Sequence, residues 1–304
     1  MLAARLTTGL SLVALTVALL WGDEPLAPWY PLWLLTSLGI LVLCALELVD
    51  LMERTVVRTS GRAVVGGVLA LGLSNWAPHI MAHIMANGST HTDPGFWGLN
   101  PVDAMAWPLW VFVGILMALF VSQALQFQAP GPTLPRIAGS TLAIAYLGLL
   151  GSVLIQFRWL EGTYHGVIPL LTLVAAAKGN DIGAYTVGRL IGRRKLWPVL
   201  SPNKTVEGAA GGLVFGIVFS LAVTAIARYG LRIPTLGWAA AVGFGLLVGV
   251  AAQIGDLMES LIKRDCERKD ASQTLPGFGG MLDVLDSLLF AAPVGFGYWL
   301  CFGP

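Results

Sequence analysis

The chain has 304 residues, of which 56% are hydrophobic and only 12% are charged, and its mean hydropathy is +0.75. Soluble proteins normally have about a quarter of their residues charged, so this composition excludes a soluble globular domain and indicates a polytopic membrane protein. The net charge of +1 provides no global field that would attract nucleic acid or an acidic partner.

Nine apolar runs of the length that crosses a bilayer follow one another along the chain. The first follows Met1–Arg5 and lacks a clear small-residue cleavage site, so we predict a retained signal anchor there. The predicted fold class is therefore an all-α polytopic integral membrane protein with about nine transmembrane helices. The predicted spans lie near residues 6–21, 31–49, 63–85, 107–127, 137–157, 166–190, 209–229, 237–260 and 284–302.

The basic residues are divided unevenly between the two sides that these spans define. With the N-terminus inside, fourteen Lys and Arg residues fall on the inner side and three, Arg158, Arg228 and Arg232, on the outer side. Because Lys and Arg are enriched in cytoplasmic loops, this distribution predicts a cytoplasmic N-terminus. The large loops after the sixth and eighth spans are then cytoplasmic, and we expect an inner cell membrane of bacterial type.

The N-terminal half carries few residues that suggest chemistry. His79 and His83 are four residues apart, followed by His91, but they fall on the predicted outer side without a third ligand of matching context. We therefore favour packing or polar lining over a metal site for these histidines. The segment PGPTLP at 130–135 is the one plain Pro/Gly linker, and we predict two regions, 1–136 with the N-terminal transmembrane helices and 137–304 with the functional motifs.

The sixth predicted span contains ionisable residues in the stretch AAAKGNDIGAY. An ionised group at that depth costs about 2.5–3.5 kcal/mol on insertion scales, so Lys178 and Asp181 require partners. Their spacing of three places them on one helix face. Either they neutralise each other as a clamp between helices, or they belong to a functional site.

The cytoplasmic loop at 188–212 combines basic residues with the stretch SPNKTVEG at 201–208. A loop that only sets topology needs Lys and Arg alone. Ser201 and Thr205 add hydroxyls and Lys204 adds a point charge, and these groups suit phosphate oxygens. The loop is therefore a candidate phosphate-binding element, with a basic topology loop and helix cap as the simpler alternative.

The chain from residue 250 onwards contains two acidic pairs. Asp256 and Glu259 share a helix face by their spacing of three, and so do Asp283 and Asp286. Mg²⁺ takes oxygen ligands, usually one or two carboxylates together with substrate phosphates. The acidic pairs therefore predict a metal site, beside basic residues suited to phosphates that lie between them in sequence: Lys263, Arg264, Arg268 and Lys269.

Three blocks together resemble the phosphatidate cytidylyltransferase family, also called CDP-diacylglycerol synthases. They are NDIGAYTVGRLIG, SPNKTVEG and SLIKRDCERKDASQTLPGFGGMLDVLD, they occur in the family's order, and they cover roughly the C-terminal 40% of the chain. Phe278 stands where the family signature has His, and Val284 stands where it has Arg. The signature positions that match are Ser260, Lys263, Arg264, Lys269, Asp270, Pro276, Gly279, Gly280, Asp283 and Asp286.

The resemblance implies that CTP and phosphatidate react to give CDP-diacylglycerol and diphosphate in phospholipid biosynthesis. It implies Mg²⁺, with the identity of any second cation left open, an active site on the cytoplasmic face and membrane lipids around the protein. The oligomeric state is left open, with a homodimer as one alternative. The implied roles are catalytic for Lys204, Lys263, Arg264 and Asp283, substrate-binding for Ser201, Thr205, Glu207, Lys269 and Asp181, and metal-binding for Asp256, Asp283 and Asp286.

Other functions fit parts of the same sequence. A related CTP transferase with another lipid phosphate as acceptor would carry similar nucleotide and metal blocks. A secondary transporter would also bury charged residues and interrupt helices with glycine, but we see no inverted repeat. A structural membrane protein leaves the acidic and basic residues of the three blocks unexplained.

Overall fold

The computed structural model describes residues 16–27, 29–53, 55, 59–85, 101–160, 166–272, 274 and 279–304. Most of the first predicted span, at 6–21, lies outside the described residues. Phe278, His91 and the side chain of His83 lie outside them as well. The interpretations that concern these residues stay predictions.

The described part of the chain is helical apart from one short hairpin. Eight helical stretches in it are long and apolar enough to cross a bilayer. Membrane spans are helical because lipid offers the backbone N–H and C=O groups no hydrogen-bond partners, and a helix satisfies them internally. This confirms an all-α polytopic integral membrane protein, while the ninth span and the orientation stay predictions. The helices are α1 Pro31–Met52, α2 Gly61–Ser74, α3 Ala77–Met85, α4 Pro101–Leu125, α5 Thr133–Ile144, α6 Leu150–Gln156, α7 Val167–Ile191, α8 Val206–Ala225, α9 Trp238–Asp265 and α10 Met281–Phe302.

The chain forms two compact units. The first unit comprises Met1–Trp159 and Asp265–Val284, and the second comprises Leu160–Arg264 and Leu285–Pro304. The predicted division after residue 136 separates the N-terminal helices from the region that carries the functional motifs. It is a different kind of division from these units, and it stays a prediction.

In the first unit, the predicted span at 63–85 is divided between two helices. α2 ends at Ser74, and α3 begins at Ala77. Asn75 is fully buried between them, and its side-chain amide donates to the carbonyls of Leu71 and Gly72 at 2.8 and 3.1 Å and to Ser152 Oγ at 3.0 Å. An Asn side chain that donates to carbonyls of the preceding turn competes with the backbone hydrogen bonds that would continue the helix. This competition accounts for the break between α2 and α3, which hydropathy did not reveal.

His79 belongs to a buried polar cluster of the first unit. Its imidazole stacks on the Trp159 indole with ring centroids 4.3 Å apart, and Nε2 lies 3.1 Å from Gln156 Oε1. Arg158 beside it is fully buried, with the guanidinium 3.8 Å from the Tyr30 ring centroid and 2.8 Å from a Glu24 carboxylate oxygen. These contacts show His79 packed inside the first unit, and the absence of a metal at this histidine stays a prediction.

The first turn of α10 is held by a carboxylate from α1. Glu47 accepts hydrogen bonds from the backbone N–H groups of Met281 and Leu282 at 3.0 and 2.8 Å. It also accepts from the hydroxyls of Ser272 and Thr274. A carboxylate at a helix N-terminus satisfies N–H groups that lack helical partners, so Glu47 fixes where α10 begins.

In the second unit, α7 and α8 are in very close contact along a run of small residues. Gly208, Gly212 and Gly216 are buried and recur every four residues on α8. A Cβ on Gly208 would lie 2.8 Å from the carbonyl oxygen of Ala184, and one on Gly212 would lie 2.9 Å from that of Asn180. Small residues at this spacing let membrane helices approach closely. The same spacing of glycines is visible in the sequence as GAAGGLVFG.

We expect Gly212→Ala to destabilise the protein, because its new methyl group would meet the α7 backbone. Overpacking of this kind typically costs about 1–3 kcal/mol. Reversible unfolding in mixed detergent micelles measures the effect. Gly114→Ala in α4 is the matched control, because a Cβ there has nothing within 4 Å. Equal stability of the two variants would contradict the close packing of α7 on α8.

Candidate active site

The predicted loop at 188–212 contains a β-hairpin. Strand β1 at Lys195–Trp197 pairs antiparallel with β2 at Ser201–Thr205, so that Lys195 lies opposite Thr205 and Trp197 opposite Ser201. Thr205 then caps α8, with its hydroxyl oxygen accepting from the Gly208 N–H at 3.1 Å. The hairpin thus holds the SPNKT residues on an ordered strand that leads directly into α8.

Glu207 fixes the approach to the hairpin. Its carboxylate accepts from the backbone N–H of Arg193 at 3.0 Å and from that of Arg194 at 3.1 Å. These two bonds use the exposed Glu207 carboxylate to anchor the backbone that precedes the hairpin. The predicted substrate role of Glu207 stays a prediction, and the contacts in the structure are those of a positioning residue.

A cavity of about 470 Å³ opens beside the hairpin, within the second unit. This volume is in the range of small-molecule sites. Lys204 extends from β2 into its lining, and the ammonium lies 2.7 Å from Asp256 Oδ2 on α9. The polar lining includes Asn180, Asp181, Lys204, Thr205, Gln253 and Asp256.

Three carboxylates of the second unit converge beside this cavity. One oxygen each of Asp256, Glu259 and Asp286 lies within 4.8 Å of the other two. Asp256 and Glu259 share a face of α9, and Gly255 lets that helix approach α10. A Cβ on Gly255 would lie only 2.6 Å from the Asp286 carbonyl oxygen. We refer to these three carboxylates as the acidic cluster.

Lysines balance the acidic cluster. Lys204 pairs with Asp256, and Lys263 pairs with Glu259, four residues earlier on the same helix. Lys178 attracts both Asp286 and Asp256 electrostatically. Like charges this close repel strongly unless cations neutralise them. The three lysines therefore allow the carboxylates to remain close together.

Lys178 and Asp181 occupy a polar network that joins α7 to α10. The Lys178 ammonium donates to Asp181 Oδ2 at 3.2 Å and to Ser287 Oγ at 2.8 Å. Ser287 Oγ in turn lies 3.2 Å from Asp181 Oδ2. The sequence left two alternatives for this pair, a clamp between helices and a functional site. The network has features of both, because it joins α7 to Ser287 of α10 and because Asp181 also lines the cavity.

Asn180 and Gln253 connect α7, α8 and α9 next to the cavity. The Gln253 amide donates to Asn180 Oδ1 at 2.8 Å and to the Ala209 carbonyl at 2.9 Å. Gln253 was not among the predicted site residues. The sequence indicates it only as a single amide in the stretch GVAAQIGD, where apolar and small residues surround Gln253 and Asp256 follows three positions later.

The structure distributes the other predicted site residues between the units. Arg264 donates from Nε to the Leu200 carbonyl at 3.3 Å and so ties the end of α9 to the hairpin. Lys269 is exposed in the first unit. Asp283 also belongs to the first unit, where Oδ2 accepts from the N–H groups of Gly280 at 2.7 Å and Ala271 at 3.0 Å. Val284, one of the two departures from the family signature, follows it in the first turn of α10.

The acidic cluster suits a hard divalent cation. Carboxylate oxygens are the ligands that Mg²⁺ and Ca²⁺ take, and Mg²⁺ commonly binds one or two carboxylates plus substrate phosphates. Glu259 was paired with Asp256 in the sequence but was not among the predicted metal ligands. The i to i+3 spacing from Asp256 was the signal for it, and the structure adds that its oxygen faces the other two carboxylates.

Together, the fold and the site define a polytopic helical membrane protein with an acidic cluster and lysines beside a cavity. The chain belongs to the cytidylyltransferase family, whose profile matches residues 3–302. Family membership therefore covers nearly the whole chain.

Curated relatives share about half of their length with this chain. The phosphatidate cytidylyltransferase of Bacillus subtilis (strain 168) is 39% identical over 161 residues, which are 53% of this chain and 57% of that protein. That of Staphylococcus saprophyticus subsp. saprophyticus is 37% identical over 153 residues, or 50% of this chain and 55% of that protein. An uncharacterized protein of Escherichia coli (strain K12), YnbB, is 42% identical over 131 residues, or 43% and 42% of the two chains.

Proposed function

We propose that this protein is a nucleotidyltransferase that converts CTP and phosphatidate into CDP-diacylglycerol and diphosphate in phospholipid biosynthesis. The observation that carries the proposal is the Lys204–Asp256 pair, which joins the SPNKT strand to the acidic cluster at the edge of one cavity. Family membership supports the nucleotide chemistry. The names of the two phosphatidate cytidylyltransferases support phosphatidate as the acceptor.

In this reaction a phosphate oxygen of phosphatidate attacks the α-phosphorus of CTP. A new P–O bond forms, the bond between the α-phosphorus and the bridging oxygen to the β-phosphorus breaks, and its electron pair leaves with diphosphate. The second pKa of a phosphate monoester is near 6, so the attacking oxygen is already ionised at neutral pH. No side chain has to remove a proton, and Phe278 in place of His is compatible with the step.

The contribution of the protein is then positioning and charge neutralisation, as in phosphoryl transfer generally. Lys204 lines the cavity, so its ammonium can exchange Asp256 for a phosphate oxygen of CTP without leaving the site. Lys263 can make the same exchange from Glu259. We assign Arg264 to a positioning role, because its Nε already holds the hairpin at Leu200. Asp181, Ser201, Thr205 and Lys269 stay proposed substrate contacts.

The acidic cluster would hold Mg²⁺ through Asp256, Glu259 and Asp286. Bound Mg²⁺ would neutralise the charge that develops on the phosphate oxygens. Binding of the cation would also release the lysines from the carboxylates, since the cation replaces their charge. Asp283 stays a proposed ligand, although in the first unit its Oδ2 accepts two backbone hydrogen bonds.

We place the active site at the cytoplasmic face of an inner cell membrane. The excess of basic residues on the predicted inner side supports this orientation. CTP is a cytoplasmic nucleotide, and phosphatidate presents its phosphate at headgroup depth. Association into a homodimer stays a prediction.

A panel of acceptors tests the proposed function. We expect the purified full chain to transfer label from CTP to phosphatidate in the presence of Mg²⁺, and to transfer much less to a polyprenyl phosphate or an ether-linked lipid phosphate. Preference for another lipid phosphate would keep the reaction type and change the acceptor. Absence of transfer to every lipid phosphate would overturn the proposal, and counter-ion-driven solute uptake in proteoliposomes would then favour a transporter.

A further inference from the structure

A second polar cavity, of about 350 Å³, lies in the first unit. It is surrounded by span ends, namely the end of α1, the start of α2, the end of α4 and the start of α5. Span ends lie at the headgroup level of a bilayer. The described lining residues are all polar or charged: Glu53, Thr59, Ser60, Gln123, Gln126 and Arg136. We refer to this cavity as the N-terminal pocket.

Several polar groups of the N-terminal pocket have no partner among the described residues. Gln123 is only 5% exposed, yet its amide forms no hydrogen bond within the described part of the chain. Thr59 Oγ1 is buried, and it too has no hydrogen-bond partner there. A buried polar atom without a partner costs free energy, and Thr59 Oγ1 is such an atom. The Gln123 amide lines the pocket without a bond of its own among the described residues, so both groups indicate a ligand that is able to form hydrogen bonds.

The pocket also contains two opposite charges that do not pair with each other. Glu53 and Arg136 both line it, but no ion pair involves either of them within the described ranges. The separation leaves each charge available to a group of opposite sign. A ligand that carries an anion and a cation close together would satisfy both.

The kind of cation can be inferred from the lining. A primary ammonium has three N–H donors, which suit the Glu53 carboxylate and the carbonyl oxygens of Gln123 and Gln126. A quaternary ammonium is bound by aromatic faces instead, and no aromatic residue lines the pocket among the residues that the structure describes. The guanidinium of Arg136 matches a phosphate in its fork of N–H donors. A purely anionic headgroup would face the Glu53 carboxylate at a cost.

We propose that the N-terminal pocket binds the phosphoethanolamine headgroup of a membrane lipid, with Arg136 on the phosphate and Glu53 on the ammonium. The same zwitterion occurs in water-soluble glycerophosphoethanolamine, but the position of the pocket at span ends favours the lipid. The proposal is independent of the cytidylyl transfer, because none of the pocket residues belongs to the acidic cluster or its cavity.

Native mass spectrometry of the full chain, purified in detergent, tests this proposal. The protein is offered equal amounts of phosphatidylethanolamine, phosphatidylcholine and phosphatidylglycerol with the same acyl chains. We expect selective retention of phosphatidylethanolamine. Arg136→Gln should lower that retention about tenfold, because it removes a charge-assisted hydrogen-bonding group. Glu53→Gln should lower it similarly and raise the retention of phosphatidylglycerol.

Arg62→Gln is the matched control, because Arg62 is an exposed cation at the start of α2 that does not line the pocket. This variant should retain lipid like the wild type. Equal loss in the Arg62 and Arg136 variants, or equal wild-type retention of the choline and ethanolamine lipids, would overturn the proposal. Competition by glycerophosphoethanolamine at the same concentration as the lipid would overturn the lipid assignment. Size-exclusion profiles of all variants check that they fold.

Discussion

Replacing Asp256 with Asn should lower the turnover of CTP and phosphatidate by about 10²–10³-fold, the usual loss when one group that stabilises transition-state charge is removed. Asn keeps the size of the side chain but removes one negative charge from the acidic cluster and from the Lys204 pair. Initial rates at saturating substrates measure the effect on turnover. Calorimetric titration with Mg²⁺ should show weaker binding in the same variant, which separates loss of the cation from loss of fold.

Asp103→Asn is the control for this experiment. Asp103 lies in the first turn of α4 and is not a member of the acidic cluster. Its replacement should leave both the turnover and Mg²⁺ binding within about threefold of the wild type, as for surface changes in general. Turnover of the Asp256 variant within that same range would show that the acidic cluster does not carry the chemistry.

Replacing Lys204 with Gln should lower kcat/KM for CTP by about a hundredfold, because an ammonium that neutralises phosphate charge is lost. Lys204→Arg should recover only part of the loss. The guanidinium keeps the charge, but its planar fork differs in shape from an ammonium. Lys195→Gln is the matched control, since Lys195 lies on the same hairpin, is exposed and does not line the cavity.

The double variant of Lys204 and Asp256 separates two roles of the lysine. If Lys204 only neutralises Asp256, its replacement in the Asp256→Asn background should have no further effect on the rate, because the pair is already broken. If Lys204 also binds phosphate, as we propose, the double variant should show a further increase in the KM for CTP. Equal KM values for CTP in the Asp256→Asn variant and in the double variant would contradict a phosphate role for Lys204.

Much of the fold was predictable from hydropathy, because a lipid environment permits few backbone structures other than helices. Eight of the nine predicted spans correspond to helical stretches in the described residues. The break at Asn75 was not predictable from hydropathy, since the residues on both sides are equally apolar. The hairpin was also missed, because its strands have only three and five residues and β2 contains Pro202.

The candidate site was partly predictable from helix spacing. The i to i+3 spacing of Asp256 and Glu259 predicted a shared helix face, and the structure places their oxygens together with one from Asp286. The same spacing could not show what Asp283 contacts, because an Asp in the first turn of a helix can cap backbone N–H groups as well as bind a cation. Nor could spacing along the chain reveal that Glu47, far away in sequence, caps the same helix.

The fate of the two ends of the CTP triphosphate tests the proposed reaction most directly. The purified wild-type protein, with Mg²⁺ and phosphatidate, is given CTP labelled either at the α-phosphorus or at the γ-phosphorus. We predict that the α-label enters the lipid fraction and that the γ-label is released as diphosphate in equal molar amount. Appearance of the γ-label in the lipid, or of neither label with any lipid phosphate, would contradict cytidylyl transfer by this protein.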